Sequence, residues 1–328
     1  MLRTVTLGST GLEVAVLCLG TMHFGTRDDE RRSFAVLDRY VEAGGNFLDT
    51  ANMYAMWIGQ GGESEALQGK WMRERKNRSD LVITSKVGFQ YQDVPTSNRP
   101  ELIEAECDKS LKRLGVDCID LYYAHRDDRK TPLEAQLEAF DKLVRAGKVR
   151  YVGASNFRAW RLAEAEGISK AHGWAAFCCV QQRYTYLRPR VDADFAFQTS
   201  CNDDLLEYCR ERKFPLLAYS PLLGGAYQRD DRPIPIQYDH ADSHARLAVL
   251  KEVAKELHAE PNQVVLAWMV ARGIVPVTGA SSPAQLSTSL EAVALPLSDG
   301  QLERLHQAGA PQGPDPYQAA RSVIGADR

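Results

Sequence analysis

The sequence predicts an α/β protein, a (β/α)8 TIM barrel with an N-terminal β-hairpin and two helices beyond the repeat. Three observations lead there. Eight apolar runs of strand length begin near Val16, Phe47, Leu81, Cys118, Val149, Phe177, Pro215 and Ile274, with helically spaced stretches between them. Most runs start about thirty to forty residues apart, which suits strand–helix units joined by short loops. No G-x-G-x-x-G follows an early strand, which counts against a doubly wound open sheet, the competing architecture.

Each element follows in order. Thr4 to Leu7, the turn Gly8-Ser9-Thr10-Gly11 and the run Leu12 to Val16 read as a hairpin. Among the helices, Phe140, Leu143 and Val144 share one face. Pro132 is expected in that helix's first turn, where a missing N–H costs nothing, and Gly147 at its end. The one oversized gap lies between Pro221 and Ile274. It holds a polar loop, Ala226 to Ser243, and two helical stretches, Ala245 to Leu257 and Pro261 to Val270. On a barrel this loop, with its Arg229-Asp230-Asp231-Arg232 run, is expected at the active face as a lid or cofactor clasp, or else as a plain surface excursion. A last helix, Asp299 to Ala308, precedes a Pro/Gly-rich tail from Pro311 to Pro316, of a kind that lines a barrel mouth or frays. Residues 1–328 are thus expected to form one barrel domain.

Composition narrows the function. Of 328 residues, 44% are hydrophobic, enough for a sizeable core. Forty basic and 43 acidic residues leave a net charge of −3 with no basic block, which argues against a nucleic-acid partner. No apolar run approaches the ~18 residues of a membrane span, and no apolar signal core follows Met1. The expectation is a cytoplasmic protein with a small-molecule partner and no membrane partner; the sequence leaves the oligomeric state open. The seven cysteines form no CxxC pair and are odd in number, against a disulfide framework or zinc site.

Four polar residues carry the chemistry. Asp49 and Tyr54 follow Phe47-Leu48, Lys86 follows the run Leu81 to Thr84, and His125 follows Ile119 to Tyr123. On neighbouring barrel strands they would meet at one mouth. An acid, a phenol, an ammonium and an imidazole suit proton transfer to a carbonyl oxygen. A phenol is a weak acid, with an ordinary pKa of about 10, and an ammonium beside it favours the phenolate and lowers that value. Lys86 is the candidate ammonium, Asp49 its anchor, and His125 the group that orients the substrate oxygen or shares the proton. The hydride would come from a nicotinamide, since no side chain supplies one. Taken singly, Asp49 could cap a turn, Tyr54 could pack at a rim and His125 could be a core histidine. A metal site built on Asp49, His125, Asp127 and Asp128 is the competing constellation, but Lys86 in their midst would repel a dication, and no metal is expected.

These residues sit in longer motifs. The stretch Asn46 to Tyr54, the stretch Ile83 to Gly88, Asp120 to His125, Leu143 to Phe157, and Ala218-Tyr219-Ser220-Pro221-Leu222 resemble the aldo-keto reductase family, from Leu7 to about Leu290. The resemblance implies a (β/α)8 barrel that binds an extended NADP(H) across its C-terminal mouth. It implies Asp49, Tyr54, Lys86 and His125 as a catalytic tetrad with Tyr54 as general acid. Ser155, Asn156 and Gln181, with Asp49, match residues around the nicotinamide carboxamide. Tyr219 matches the ring that stacks on the nicotinamide. Ser220, Pro221, Leu222 and Gly224 match the pyrophosphate stretch, and Gly20-Thr21-Met22 the first strand's cofactor-facing turn. Ser155 or Asn156 could also cap the helix expected near Phe157.

The chain departs from the family pattern in two places. At the adenosine end, Gly279, Ser281, Gln285 and Ser289 are the expected contacts, and backbone N–H groups there can receive a phosphate. No basic residue lies between Gly273 and Leu302. NADP(H) is expected, with NAD(H) also possible and weak discrimination between them. The second departure is the long loop Ala55 to Gly62, which carries Trp57. Trp57 is expected as a pocket wall for a sugar, aryl aldehyde or flat ketone, or else packed against the hairpin or a neighbouring loop. Arg126 is expected to meet an acidic or hydroxylated substrate, or to pair with Asp127. The reaction expected is reduction of an aldehyde or ketone, a sugar carbonyl among the candidates. Alternatives are a sugar or alcohol dehydrogenase running oxidatively, and a cofactor-binding regulatory subunit.

Overall fold

A computed structural model describes residues 1–309; the tail from Pro311 to Pro316 lies outside the described residues. The chain opens with an antiparallel hairpin, β1 (Thr4–Thr6) and β2 (Glu13–Ala15). The repeat follows as β3 (Cys18–Gly20), α1 (Glu30–Glu42), β4 (Phe47–Asp49), α2 (Glu63–Arg75), β5 (Val82–Val87), α3 (Pro100–Leu114), β6 (Ile119–Ala124) and α4 (Leu133–Arg145). It continues as β7 (Val149–Ser155), α5 (Ala159–His172), β8 (Phe177–Arg183), α6 (Asp203–Glu211), β9 (Leu216–Tyr219), α7 (Ala241–Glu256), α8 (Pro261–Ala271), β10 (Val275–Thr278), α9 (Pro283–Ala292) and α10 (Asp299–Gln307).

Strands β3 to β10 pair in parallel and in chain order, and β10 closes onto β3 to complete the eight-stranded barrel. The expected fold is therefore present, with α7 and α10 as the helices beyond the repeat. The helices cover the barrel because their apolar residues recur at helical spacing. Val36, Leu37 and Tyr40 form the buried stripe of α1. Two expected boundaries move. Pro132 is the residue before α4 rather than part of its first turn, and α7 begins at Ala241 rather than Ala245.

Register decides what reaches the C-terminal mouth. Gly20 pairs with Asp49, Asp49 with Thr84, Lys86 with Tyr123, and Ser155 with Gln181. Side chains alternate along a strand, so Asp49 and Lys86 both project inward near the top of the barrel. Gly153 makes room beneath them. A Cβ there would stand 2.6 Å from the Tyr123 ring, which fills the barrel under Lys86. The hairpin closes the opposite end, where Asn46 bonds Ala15 N–H and Glu13 C=O. It thus lies away from the mouth.

Candidate active site

Lys86 lies within β5 rather than after it, and its side chain is fully buried. Its ammonium donates to Asp49 Oδ2 at 2.7 Å, to Tyr54 OH at 2.7 Å and to Thr50 C=O at 2.8 Å. Asp49, the last residue of β4, also accepts from Tyr54 OH at 3.0 Å, Thr84 Oγ1 at 2.9 Å and Gln181 Nε2 at 2.7 Å. A buried carboxylate needs such a set of donors. Tyr54 stands on the turn after β4, with its ring 6.0 Å from the His125 ring. The four residues singled out in the sequence therefore meet at one mouth.

The electrostatics differ in one respect from the sequence expectation. Tyr54 is held well above its ordinary 10.0, not below it. Burial is the first cause and the Asp49 carboxylate the second. The ammonium that was to lower it is already engaged by Asp49, so the phenol faces a compensated ion pair. Lys86 is pushed below its ordinary 10.5 by burial, against the pull of Asp49. His125 falls well below 6.5 through burial and the nearby Lys86 charge. Its Nδ1 is buried and without a hydrogen-bond partner. The site therefore presents a neutral imidazole and a protonated phenol at neutral pH.

A cleft of about 970 Å³ runs from Tyr54 and His125 to Ser289. That is at the upper end of small-molecule sites, roughly 300–1,000 Å³, and suits a long ligand. Gly20, Met22, Asp49, Ser155, Asn156, Gln181, Tyr219, Ser220, Pro221, Leu222, Gly224, Gly279, Ser281, Gln285 and Ser289 all line it. Thr21 does not. It is buried, and its hydroxyl bonds Asp49 C=O and Ser64 Oγ, tying β3 to α2. Ser155 and Asn156 cap no helix, since α5 starts at Ala159 with Arg158 before it. Asn156 instead spends its whole amide on protein. Nδ2 donates to His125 C=O and Ser155 Oγ, while Oδ1 accepts from Tyr219 OH and Thr199 N–H. These four bonds exhaust an asparagine side chain.

Trp57 and Arg126 do not line the cleft. Trp57 is half exposed and meets the His23 ring edge-on at 6.1 Å, so it packs on a neighbouring loop at the rim. Arg126 lies over the Phe89 ring at 5.4 Å. It does not pair with Asp127, which bonds Arg129 and Arg161. Asp128 caps the Thr131 turn and Asn98 N–H. Asp127 and Asp128, two of the three carboxylates weighed as metal ligands, are thus engaged elsewhere.

Sequence reasoning missed several cleft residues: His23, Phe89, Phe197, Arg27 and Arg32. It noticed Arg229 and Arg232 only as part of a loop, and both line the cleft. The signal for Arg27 and Arg32 was available. A closed barrel puts the β3 loop beside the β10 loop, so cations absent from one can come from the other.

The comparisons with known proteins agree with this geometry. Residues 16–310 match the model of the Aldo/keto reductase family. The chain belongs to that family. The "Uncharacterized oxidoreductase YrpG" of Bacillus subtilis (strain 168) is 30% identical over 92% of this chain and 94% of its own. "Aldo-keto reductase str7" of Strobilurus tenacellus is 34% identical over 83% of this chain and 79% of its own. "Aldo-keto reductase yakc [NADP(+)]" of Schizosaccharomyces pombe is 29% identical over 89% and 86%. This aldo/keto reductase is an NAD(P)H-dependent oxidoreductase acting on small carbonyl compounds. No helix among its described residues is long and apolar enough to cross a membrane.

Proposed function

We propose that this reductase converts an aldehyde or ketone to the alcohol, with Tyr54 giving the proton to the carbonyl oxygen. A reduced nicotinamide, when bound, supplies the hydride that goes to the carbonyl carbon. The observation that carries the reading is the three-way contact of Lys86 Nζ with Tyr54 OH and Asp49 Oδ2, each at 2.7 Å, at the foot of the cleft. Tyr54 keeps its proton until an oxygen gains negative charge. Lys86 then stabilises the phenolate left behind, and Asp49 holds the ammonium in place. His125, as a neutral imidazole, hydrogen-bonds the substrate oxygen and orients it. The phenolate regains its proton from solvent.

The residues present fit a nicotinamide dinucleotide. Ser155 and Gln181 retain donors for a carboxamide, Tyr219 offers a ring face, and the turn through Ser220, Pro221, Leu222 and Gly224 offers backbone to phosphates. Gly224 sits at φ 67°, a left-handed conformation that glycine adopts without strain. Met22 and Gly20 border the nicotinamide end, and Gly279, Ser281, Gln285 and Ser289 the adenosine end. NADP(H) is the preferred cofactor, with NAD(H) accepted. The exposed Arg27, Arg32, Arg229 and Arg232 in the cleft support a phosphate-rich ligand, and one relative's name carries NADP(+). The test mixes the protein with NADPH and a panel of sugars, α-dicarbonyls and aryl aldehydes and follows absorbance at the reduced-nicotinamide band. Steady carbonyl-dependent oxidation is expected. Tight cofactor binding without turnover on any carbonyl would sink the reading.

A further inference from the structure

The carbonyl end of the cleft has an unusual lining. Among the described residues, few large apolar side chains are exposed, and Met22, Trp57 and Phe197 are three of them. Met22 and Phe197 line the cleft, and Trp57 packs on His23 at its rim. Scattered apolar residues need no explanation, but a cluster at a pocket marks a ligand surface. Phe197 meets Phe89 edge-to-face at 4.9 Å, and Phe89 meets His125 edge-to-face at 4.7 Å. That wall comes from the β5, β6 and β8 loops. Met22 and His23, from the β3 loop, also belong to the cleft lining.

The Phe197 loop is built rather than loose. Thr199 N–H donates to Asn156 Oδ1 at 3.1 Å, Gln198 Oε1 accepts from Arg183 Nη1 at 2.7 Å, and Cys201 N–H bonds Arg183 C=O at 2.8 Å. The same bonds remove polar groups from the substrate's reach. Asn156 is saturated, Gln198 is engaged, Asp49 is filled by its four donors, and Arg126 lies on Phe89 outside the cleft lining. Tyr54, two imidazoles, the Phe89 and Phe197 rings and the Met22 thioether all line the cleft. His23 also falls below its ordinary 6.5, through burial and Arg27. A flat ring finds edge-to-face contacts on the Phe89–Phe197 wall and a thioether in the same cleft lining.

We propose that the preferred substrate is an uncharged aryl carbonyl, held against the Phe89–Phe197 wall, with Phe197 a specificity-determining residue. The proposal rests on the carbonyl-reductase reading above and narrows it to one substrate class. The wild-type protein with NADPH is assayed on 2-naphthaldehyde, butanal and a reducing aldose. Higher kcat/KM on the aryl aldehyde is expected. Phe197→Ala should lower the aryl-to-butanal ratio of kcat/KM by about tenfold, the scale on which apolar pockets discriminate. Phe197→Tyr should restore it and Phe197→Leu should not. Binding is read separately by calorimetry, titrating 2-naphthaldehyde into the NADPH-loaded Tyr54→Phe protein with and without Phe197→Ala. If naphthaldehyde binds through Phe197 but no carbonyl is reduced by the wild type, the reduction reading fails and the aromatic subsite stands. If the aldose or butanal is the better substrate, or Phe197→Ala slows every substrate equally, the proposal is overturned.

Discussion

At the Tyr54 end of the cleft, Asp49 and Lys86 are buried and each is held by three or more hydrogen bonds from barrel strands and the turn after β4. Elsewhere in the cleft lining the cations Arg27, Arg32, Arg229 and Arg232 are exposed, on loops or in the first turn of α1; Arg229 is already bonded to Asp231 beside it. The first region is fixed before any ligand arrives, in line with catalysis by preorganised charge. The second offers charge that solvent and salt screen. The difference teaches where sensitivity should lie: chemistry and stability in the first, affinity and cofactor choice in the second.

The largest expected effect breaks the rigid end. Lys86→Met leaves Asp49 buried without its cation, which costs about 3–5 kcal/mol of stability, read from denaturant unfolding. Turnover should fall by about a hundredfold or more through loss of the proton-transfer partner. Arg232→Ala in the second region should shift stability by less than about 0.5 kcal/mol. Equal losses from both variants would erase the contrast.

Next comes Asn156→Ala, which leaves His125 C=O, Tyr219 OH and Thr199 N–H without their common partner. The expected cost is about 1–3 kcal/mol, again by unfolding, with a weakened grip on the Phe197 loop seen as raised amide exchange at residues 197–199. Unchanged stability would show that the four bonds contribute nothing.

Cofactor titration by fluorescence quenching sharpens the other side. NADPH should be preferred over NADH, but by less than about a thousandfold, equivalent to roughly 4 kcal/mol. Raising salt towards about 1 M, where the screening length is near 3 Å, should weaken NADPH more than NADH. Salt-independent NADPH binding would remove the role given to the exposed arginines.

The smallest effect is a flat line. His125 is held well below 6.5, so it does not change charge as pH rises through that value. Tyr54 is raised and stays protonated through neutrality, while the lowered Lys86 loses its charge first as pH climbs. The kcat for reduction should show no inflection near 6.5 and should fall only on the alkaline side. A step near 6.5 would mean that His125 titrates in the working enzyme.

The rigid end was legible in the sequence and the loop end was not, for a physical reason. Asp49, Lys86 and His125 sit on or directly after strands, and strand position in a parallel barrel fixes which mouth a side chain reaches. Phe197, Arg27 and Arg232 sit on loops, whose path depends on bonds such as Thr199 to Asn156 that no local pattern encodes. Trp57 failed as a wall for the same reason, since its turn carries it outward onto His23. The raised Tyr54 was missed because burial depends on the closed barrel, and spacing alone registers only the lysine beside it.

The central claim is that a phenol made ready by Lys86 and Asp49 supplies the proton. Tyr54→Phe removes one oxygen and little else. NADPH affinity within about twofold of wild type, with kcat reduced by about a hundredfold to ten-thousandfold, is the expected result. A Tyr54→Phe protein that binds NADPH normally and keeps most of its turnover would contradict the account.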